Sequence, residues 1–183
     1  MKKAMFALAG IAVFATVGTA SAQLPISVEV RADAAIPTGD FADAVDAAPS
    51  FGANVALGLA RGFAVYGGYS RTAFELQDLD TNMVDQGFSA GVTLGIPATR
   101  LGVQPYIGAG VLIHELEVED GPEFDSDLGF EVGAGVALPI ASNVRLSPGV
   151  GYRRYSTQFP IGPTSVETDV EYFTAGVGLN ISF

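Results

Sequence analysis

Apolar and polar residues alternate with a two-residue period along most of the chain. Between positions 26 and 36 every even residue is apolar, whereas the odd positions include Glu29, Arg31 and Asp33. Side chains of a strand point alternately to its two faces, so this period predicts a strand with one apolar face. It predicts further strands at 51–59, 63–73, 87–96, 103–113, 128–138, 144–152 and 170–183, which makes eight. In the third strand we assign Val65 and Tyr69 to the apolar face.

The links between these segments alternate between short and long. Short links fall at 61–62, 97–102 and 141–143, and long links fall at 38–50, 75–85, 115–127 and 157–168. An even number of strands with short turns at one end and long loops at the other is typical of a transmembrane barrel, whose closure leaves no unpaired sheet edge in lipid. We therefore predict an all-β fold: an eight-stranded antiparallel up-and-down transmembrane β-barrel, with both termini at the short-turn end.

The residues opposite the apolar faces indicate which face meets lipid. They are mostly glycine, alanine and polar residues, which suit a tight lumen inside a lipid-exposed wall. Five aromatic residues on the apolar faces lie near the long-loop ends of their strands, as an interfacial aromatic girdle requires. They are Phe51, Phe88, Phe130, Tyr152 and Phe173. The alternative fold is a soluble lipocalin-like ligand carrier, with its apolar face turned inward.

The first 22 residues have the features of an export signal. Lys2 and Lys3 precede an apolar run from 4 to 17, and the sequence Ala-Ser-Ala at 20–22 matches the small-x-small cleavage pattern. The apolar run is shorter than the roughly 20 residues that a transmembrane helix needs. We therefore predict a signal peptide at 1–22 and one outer membrane β-barrel domain at 23–183.

Charge and cysteine content exclude several classes of function. The formal net charge is −11, and the residues after position 22 contain seven arginines and no lysine. Nucleic-acid binding needs clustered basic charge, so we expect no nucleic-acid partner. The chain has no cysteine, which excludes disulfides, thiolate metal sites and cysteine nucleophiles. No cofactor site is predicted.

The last residues form an alternating strand that ends on an aromatic side chain. Phe183 is the final residue, and Ile181 and Leu179 precede it at alternate positions. This ending resembles the C-terminal signal by which the barrel assembly machinery recognises outer-membrane barrels. Together with the sequence Pro-Thr-Gly-Asp-Phe at 37–41, it is similar to the small outer membrane β-barrel family that includes the OmpA-type membrane domain and OmpX.

The resemblance implies a location in the cell outer membrane, with periplasmic termini. Because the chain ends with the barrel strand, we do not expect the wall-tethering role of full-length OmpA-type proteins.

Charged residues on the glycine-rich faces predict a network inside the barrel. They are three acids and three bases: Glu29, Asp33, Glu131, Arg31, Arg145 and Arg153. The interior of an eight-stranded barrel is just wide enough for side chains to fill, and buried charges persist when they are paired. We therefore expect these residues to close the lumen, with a narrow porin-like channel as the alternative.

Acidic residues concentrate in the long links. The second link contributes Glu75, Asp78, Asp80 and Asp85 to this acidic outer surface. Two further sets continue the outward faces of strands: Glu115, Glu117 and Glu119 in one, and Glu167, Asp169 and Glu171 in the other. Beside the phosphates of lipopolysaccharide these acids would be repelled unless cations intervene. We expect outer-membrane lipid and lipopolysaccharide as partners, with calcium or magnesium at this rim, or else a solvated acidic surface with no ion site.

The sequence contains few candidate groups of catalytic residues, and we predict that the protein is not an enzyme. His114, the only histidine, lacks the His-x-Ser spacing of lipid A deacylases and is expected to be an ordinary lumen or rim residue. The segment 78–82 begins like a calcium loop, but Met83 stands where glycine is needed. A lipid-modifying enzyme would need a serine or carboxylate within hydrogen-bond distance of His114. The leading function is a structural or surface-interaction barrel that works through acidic outer loops.

Overall fold

The computed structural model describes residues 25–77, 81–96, 102–118, 123–125, 127–161 and 164–183. The signal peptide predicted at 1–22, Asp78, Asp80 and Glu119 lie outside these residues. The described residues form strands and one 3₁₀ turn, Gly39–Asp43. No helix among them is long and apolar enough to span a bilayer.

The described strands all pair antiparallel, and most pair with their neighbours along the chain. They are β1 Ile26–Pro37, β2 Ala48–Ala60, β3 Phe63–Glu75, β4 Asn82–Gly95, β5 Gln104–Val118, β6 Glu123–Asp125, β7 Gly129–Pro139, β8 Val144–Ile161 and β9 Thr164–Ser182. Eight of them close a ring, because β1 pairs with both β2 and β9, and β5 continues the ring from β4 to β7. The short β6 adds three residues beside the end of β5. The predicted eight-stranded antiparallel up-and-down barrel is confirmed.

The barrel has two different ends. The turn end holds the short links and both ends of the described chain, including Pro25 and Phe183, and the loop end lies opposite. The strands extend farther toward the loop end than predicted, because β5 continues to Val118 and the β8–β9 hairpin reaches the pair Ile161 and Thr164.

The predicted loops at 115–127 and 157–168 are therefore wrong over much of their length. The physical reason is that outward charged residues there still alternate with buried inward ones, as Glu115 does with Leu116. The two-residue period of a strand thus continues beyond the apolar band.

Large apolar side chains point outward around the barrel. Phe51 is 62% exposed and Phe173 is 50% exposed, and the rings of Tyr69 and Phe88 contact each other with centroids 5.3 Å apart. We call the outward ring formed by Phe51, Tyr69, Phe88, Phe130, Tyr152 and Phe173 the aromatic girdle. An apolar outer wall with such a girdle is the surface that transmembrane barrels present to lipid. The lipocalin-like alternative with an inward apolar face is wrong, and the outward assignment of Tyr69 is confirmed.

The short β2–β3 link at the turn end depends on a glycine. Gly62 has a φ of 77°, in the left-handed region that glycine adopts without a steric penalty. A Cβ atom there would also lie 2.5 Å from the carbonyl oxygen of Gly95. Glycine therefore allows both the tight turn and the close approach of β4.

Apolar side chains pack inside the barrel toward the loop end. We call this buried cluster the apolar plug; it consists of Ala35, Phe41, Val45, Ala48, Phe74, Met83, Leu112, Leu116, Tyr155, Val170 and Tyr172. Phe41 reaches the plug from the 3₁₀ turn and packs edge-on against Phe74, with ring centroids 5.2 Å apart. The turn is held in place because Val45 forms a backbone bridge with Leu76, and Gln77 Nε2 donates to the carbonyl oxygen of Ala42 at 3.2 Å.

Candidate functional site

Arg153 is the centre of a hydrogen-bonded network that crosses the lumen. Its Nε donates to Glu131 Oε2 at 3.0 Å, and its Nη1 donates to Ser70 Oγ at 2.8 Å. From the opposite wall, the hydroxyl of Tyr66 donates to Glu131 Oε1 at 2.6 Å. Both oxygens of the Glu131 carboxylate are thus bonded, and the guanidinium joins β8 to β3 and β7.

A second part of the network is buried deeper, beside Arg153. The hydroxyl of Tyr172 donates to Asp85 Oδ2 at 2.6 Å, and Asp85 Oδ1 lies 2.6 Å from His114 Nδ1. Arg153 Nη1 donates to the Tyr172 hydroxyl at 3.5 Å, which connects the two parts. We call the whole network the lumen belt; its members are Tyr66, Ser70, Asp85, His114, Glu131, Arg153 and Tyr172. These residues come from six of the eight ring strands.

Asp85 corrects one prediction from the sequence. It was expected on the acidic outer surface with the rest of the link 75–85, but its side chain is 0% exposed and belongs to the lumen belt. The signal that could have found it is the odd or even parity of its position, because odd positions of β4 point inward. Asp85 shares this inward face with Ser89 and Thr93. Parity with Thr174 on β9 likewise marks Tyr172 as an inward residue.

Tyr66 lies in a space that glycine provides. A Cβ atom on Gly110 would lie 2.5 Å from the Tyr66 hydroxyl, and one on Gly91 would lie 2.7 Å from it. A side chain at either position would push the ring away and break its hydrogen bond to Glu131. The small residues of β4 and β5 therefore position the belt tyrosine.

A second ion cluster lies on β1, nearer the turn end. Arg31 Nη2 is 2.8 Å from Asp33 Oδ1, and Arg31 Nη1 is 3.2 Å from Glu29 Oε1. The same Nη1 donates to the carbonyl oxygen of Ser147 on β8 at 3.4 Å. The structure thus brings these three charged residues of the predicted network together, as one base between two acids, in a cluster separate from the Glu131–Arg153 pair.

Arg145 differs from the prediction of a buried charge pair. It is exposed at the turn end of the lumen, and its Nη1 donates to the side-chain oxygen of Gln104 at 3.1 Å. Arg145 is the second residue of β8, and this position places it at the rim of the barrel. Removal of Arg145 would therefore take away an exposed hydrogen bond to a neutral amide.

A substitution at Arg145 should consequently have a small effect on stability. We expect Arg145→Gln to change the free energy of unfolding by less than about 1 kcal/mol, as for other exposed polar contacts. Urea titration of the barrel in detergent micelles, followed by circular dichroism, measures this change. A loss of several kcal/mol would mean that Arg145 holds a buried acid after all.

A cavity lined by polar and apolar groups occupies the lumen between the two ends. Its volume is about 420 Å³, and its lining runs from Pro25, Gly62 and Gln104 at the turn end to Glu131 and Arg153 at the lumen belt. The ion cluster of β1 contributes to the same wall through Glu29 and Arg31. The cavity therefore opens toward the turn end, with the belt as its floor.

His114 has a carboxylate partner, which was the condition set for an enzyme. Asp85 provides it at 2.6 Å. However, the His114 side chain is 1% exposed and packs near the ring of Tyr155, with centroids 5.8 Å apart. A histidine buried in this way orients its neighbours in the belt.

The acidic rim residues fall into two separate sets. Glu115 and Glu117 lie on β5, whereas Glu167, Asp169 and Glu171 lie on β9. Because β7 and β8 lie between these strands, the two sets are about 14 Å apart along the sheet. The described residues contain no group of three or more acidic, histidine or cysteine side chains arranged to hold a metal ion.

Two members of the β9 set already have protein partners. Asp169 Oδ2 is 2.8 Å from Arg154 Nη2, and its Oδ1 accepts a hydrogen bond from Ser156 at 2.7 Å. Glu171 accepts one from the Tyr152 hydroxyl at 2.5 Å. The β9 acids therefore secure the long β8–β9 hairpin.

The C-terminal residues lie on the lipid-facing wall at the turn end. Phe183 is exposed, and its backbone N–H donates to the carbonyl oxygen of Ile26 at 2.9 Å. Leu179 is also exposed on the same strand. This backbone bond fixes the terminus beside β1, with the side chains of Phe183 and Leu179 exposed.

Comparison with known proteins gives one family and a set of similar folds. The model of the outer membrane protein beta-barrel domain family matches residues 6–183. No curated protein sequence matches the chain at a significant level.

Three solved structures illustrate the similarity. Neisserial surface protein A (NspA) has 20% identity and a TM-score of 0.65, over 86% of this chain and 97% of that one. OprG from Pseudomonas aeruginosa has 13% identity and a TM-score of 0.58, over 87% and 96%. Ail from Yersinia pestis, in complex with the heparin analogue sucrose octasulfate, has 18% identity and a TM-score of 0.51, over 87% and 99%. At these identities the likeness shows the fold alone.

Proposed function

The chain belongs to the outer membrane protein beta-barrel domain family, and we propose that it is a non-enzymatic barrel with a closed lumen that acts through acidic residues at its loop end. One observation carries this proposal. The apolar plug and the lumen belt occupy the barrel interior at the same end where the outward acids lie. A barrel filled at that end leaves its outer surface as the part that meets a partner.

The contacts inside the barrel support a closed lumen. A channel needs a continuous water path, and both Phe74 of the plug and Asp85 of the belt are 0% exposed. The belt charges are also paired with one another, which is the condition for keeping charge out of water. The alternative of a narrow porin-like channel requires these side chains to leave the lumen together.

The buried position of His114 supports a non-enzymatic role. A general base has to come within hydrogen-bond distance of the proton that it removes. His114 is buried within the belt, beside the plug residue Tyr155, with its Nδ1 already directed at Asp85. An enzyme acting on membrane lipid would need such a group on the outward face instead.

The charge of the loop end indicates the class of partner. Exposed acids there include Asp40, Asp43, Asp46, Glu75, Asp127, Glu167 and Asp169. Ail was crystallised with a heparin analogue, which is a polyanion. This loop end would repel a polyanion and attract cationic groups, because complementary charge guides association.

Outer-membrane lipid with bridging divalent cations fits this chemistry. Glu115 and Glu117 point outward on β5, on the loop-end side of the girdle residue Phe88 and of Ile113. Carboxylate and phosphate oxygens are suitable ligands for calcium and magnesium. The cation would complete its ligand set with phosphates of lipopolysaccharide, since the described protein residues alone do not supply three clustered ligands.

Thermal unfolding in lipopolysaccharide-containing membranes tests the role of these acids. We expect millimolar calcium to raise the Tm of the wild type and to raise it less in a variant with Glu115, Glu117 and Glu119 changed to Gln. A matched control changes Asp40, Asp43 and Asp46 to Asn, which removes the same charge from the exposed residues around the 3₁₀ turn. Equal calcium shifts in all three proteins, or none in any, would show that the rim is only a charged surface.

The proposal also includes export and assembly. A signal peptide at 1–22 would direct the chain out of the cytoplasm, and both termini of the barrel would face the periplasm. The exposed side chains of Phe183 and Leu179, with Ile181 between them, would form the signal read by the barrel assembly machinery. The short turns at the same end support this orientation, because transmembrane barrels keep their short turns periplasmic.

A further inference from the structure

The pairing of charged side chains changes along the length of the cavity, from its floor to its mouth at the turn end. At its floor, Glu131 and Arg153 bond each other, and farther along Arg31 lies between Glu29 and Asp33. The charges at the floor cancel within the protein, whereas the level of Arg31 has one base between two acids and carries one excess negative charge. At the mouth the situation changes, because the hydrogen bond of the Arg145 guanidinium goes to a neutral amide.

The cavity is kept open by glycine where a side chain would fit. A Cβ atom on Gly108 would meet its nearest neighbour, the carbonyl oxygen of Val92, at 3.5 Å, which is an ordinary contact. Gly110 on the same strand is different, since the hydroxyl of Tyr66 occupies the space at its Cα. Packing thus explains the glycine at 110 but not the one at 108, where the result is free volume in the cavity wall.

Neutral hydrogen-bonding groups surround the charge at the mouth. Arg145 on β8 pairs in register with Asn180 on β9, and Asn180 pairs with Glu29 on β1. Asn180, Gln104, Ser27 and Ser182 all line the cavity. One guanidinium among amides and hydroxyls is a suitable environment for a single carboxylate on a hydroxylated molecule.

We propose that this mouth binds the carboxylate of a small hydroxylated organic acid, which enters the barrel from the turn end. The carboxylate pairs with Arg145 and Gln104, and the hydroxylated body extends toward the polar wall. Glu29, two strands away on the same cross-strand row, repels a second negative charge, so the site favours ligands with one acidic group. A volume of about 420 Å³ is within the range of small-molecule pockets.

The orientation proposed above would make this a site for periplasmic solutes. Binding to the purified barrel in micelles does not depend on orientation or on the loop end. Failure of the surface role and failure of this site are therefore distinguishable.

Backbone NMR of the folded barrel, titrated with glucuronate and separately with glucose, tests the proposal. Glucose has the same ring without the carboxylate. We expect glucuronate to shift the amide signals of Arg145, Gln104 and Asn180 in a saturable way, and glucose to bind at least about tenfold more weakly, as expected for losing a charge-assisted hydrogen bond. Shifts that never saturate, or equal effects of the two sugars, would overturn the proposal and leave a water-filled cavity.

Two variants locate the site. Arg145→Gln should weaken glucuronate binding about tenfold, whereas Arg61→Gln, which removes the same charge from the exposed β2–β3 turn, should leave it unchanged. Gly108→Val should abolish binding by filling the wall, with the barrel still showing a folded, heat-modifiable band. Equal weakening by Arg145→Gln and Arg61→Gln would mean general charge attraction, and normal binding by Gly108→Val would place the ligand outside the cavity; either result overturns the proposal.

Discussion

Replacing Arg153 with methionine should lower the free energy of unfolding by about 3–5 kcal/mol, as expected when one partner of a buried ion pair is removed. The guanidinium donates to Glu131, Ser70 and Tyr172, which lie on three different strands. Methionine fills a similar volume but leaves the Glu131 carboxylate with the Tyr66 hydroxyl as its remaining donor. Urea unfolding of the barrel in micelles, followed by circular dichroism, measures the loss.

Arg154 supplies the matched control for this experiment. It is the next residue on β8, points outward and forms an exposed ion pair with Asp169. Exposed pairs of this kind contribute little, so Arg154→Met should unfold close to the wild type. If the Arg153 and Arg154 variants lose the same stability, the loss comes from replacing any arginine on β8 and not from breaking the lumen belt.

Phe74→Ala should destabilise the barrel by about 3–5 kcal/mol through loss of buried area and formation of a cavity. Phe74 is fully buried in the apolar plug, between Phe41 at 5.2 Å and Tyr172 at 5.5 Å from ring centroid to ring centroid. Removing the Phe74 ring also takes away the packing partner of Phe41, the residue that anchors the 3₁₀ turn in the plug. Thermal and urea unfolding in the same micelles measure the change.

Phe51→Ala is the control for the plug, because Phe51 is an aromatic residue of the girdle with its side chain outside the barrel. It should cost clearly less than Phe74→Ala, since no internal cavity forms. A larger loss from Phe51→Ala than from Phe74→Ala would contradict the internal plug.

The barrel itself could be predicted from the sequence because its physical causes are local. The two-residue period assigns Phe88 outward and Gly87 inward without reference to any other strand, and the same alternation appears in the burial of β1 and β7. The alternation of short and long links then fixes the up-and-down order. The outward aromatic positions were predictable for the same reason.

The lumen partners were less predictable because they depend on contacts between strands. Arg31 pairs with Glu29 and Asp33 on its own strand, so parity alone brings these charges together. Arg145 has the same inward parity, but its level in the barrel leaves it at the rim beside Gln104. Parity gives the face of a residue, whereas its depth depends on the register of neighbouring strands.

The extent of the strands was underestimated because charge was interpreted as a sign of loops. Glu115 and Asp169 are outward residues of regular strands, and each alternates with a buried neighbour such as Leu116 or Val170. Outside the bilayer a strand no longer needs an apolar outer face. Its two-residue period therefore continues there with acidic residues on the outer face and buried residues on the inner face.

Single-channel recording in planar lipid bilayers tests the closed lumen most directly. Purified barrel, shown to be folded by its heat-modifiable migration on gels, is reconstituted at low protein density. The apolar plug and the lumen belt predict no stable, discrete conductance steps. Large, reproducible and long-lived openings from the wild-type barrel would contradict the closed lumen and favour the porin-like channel.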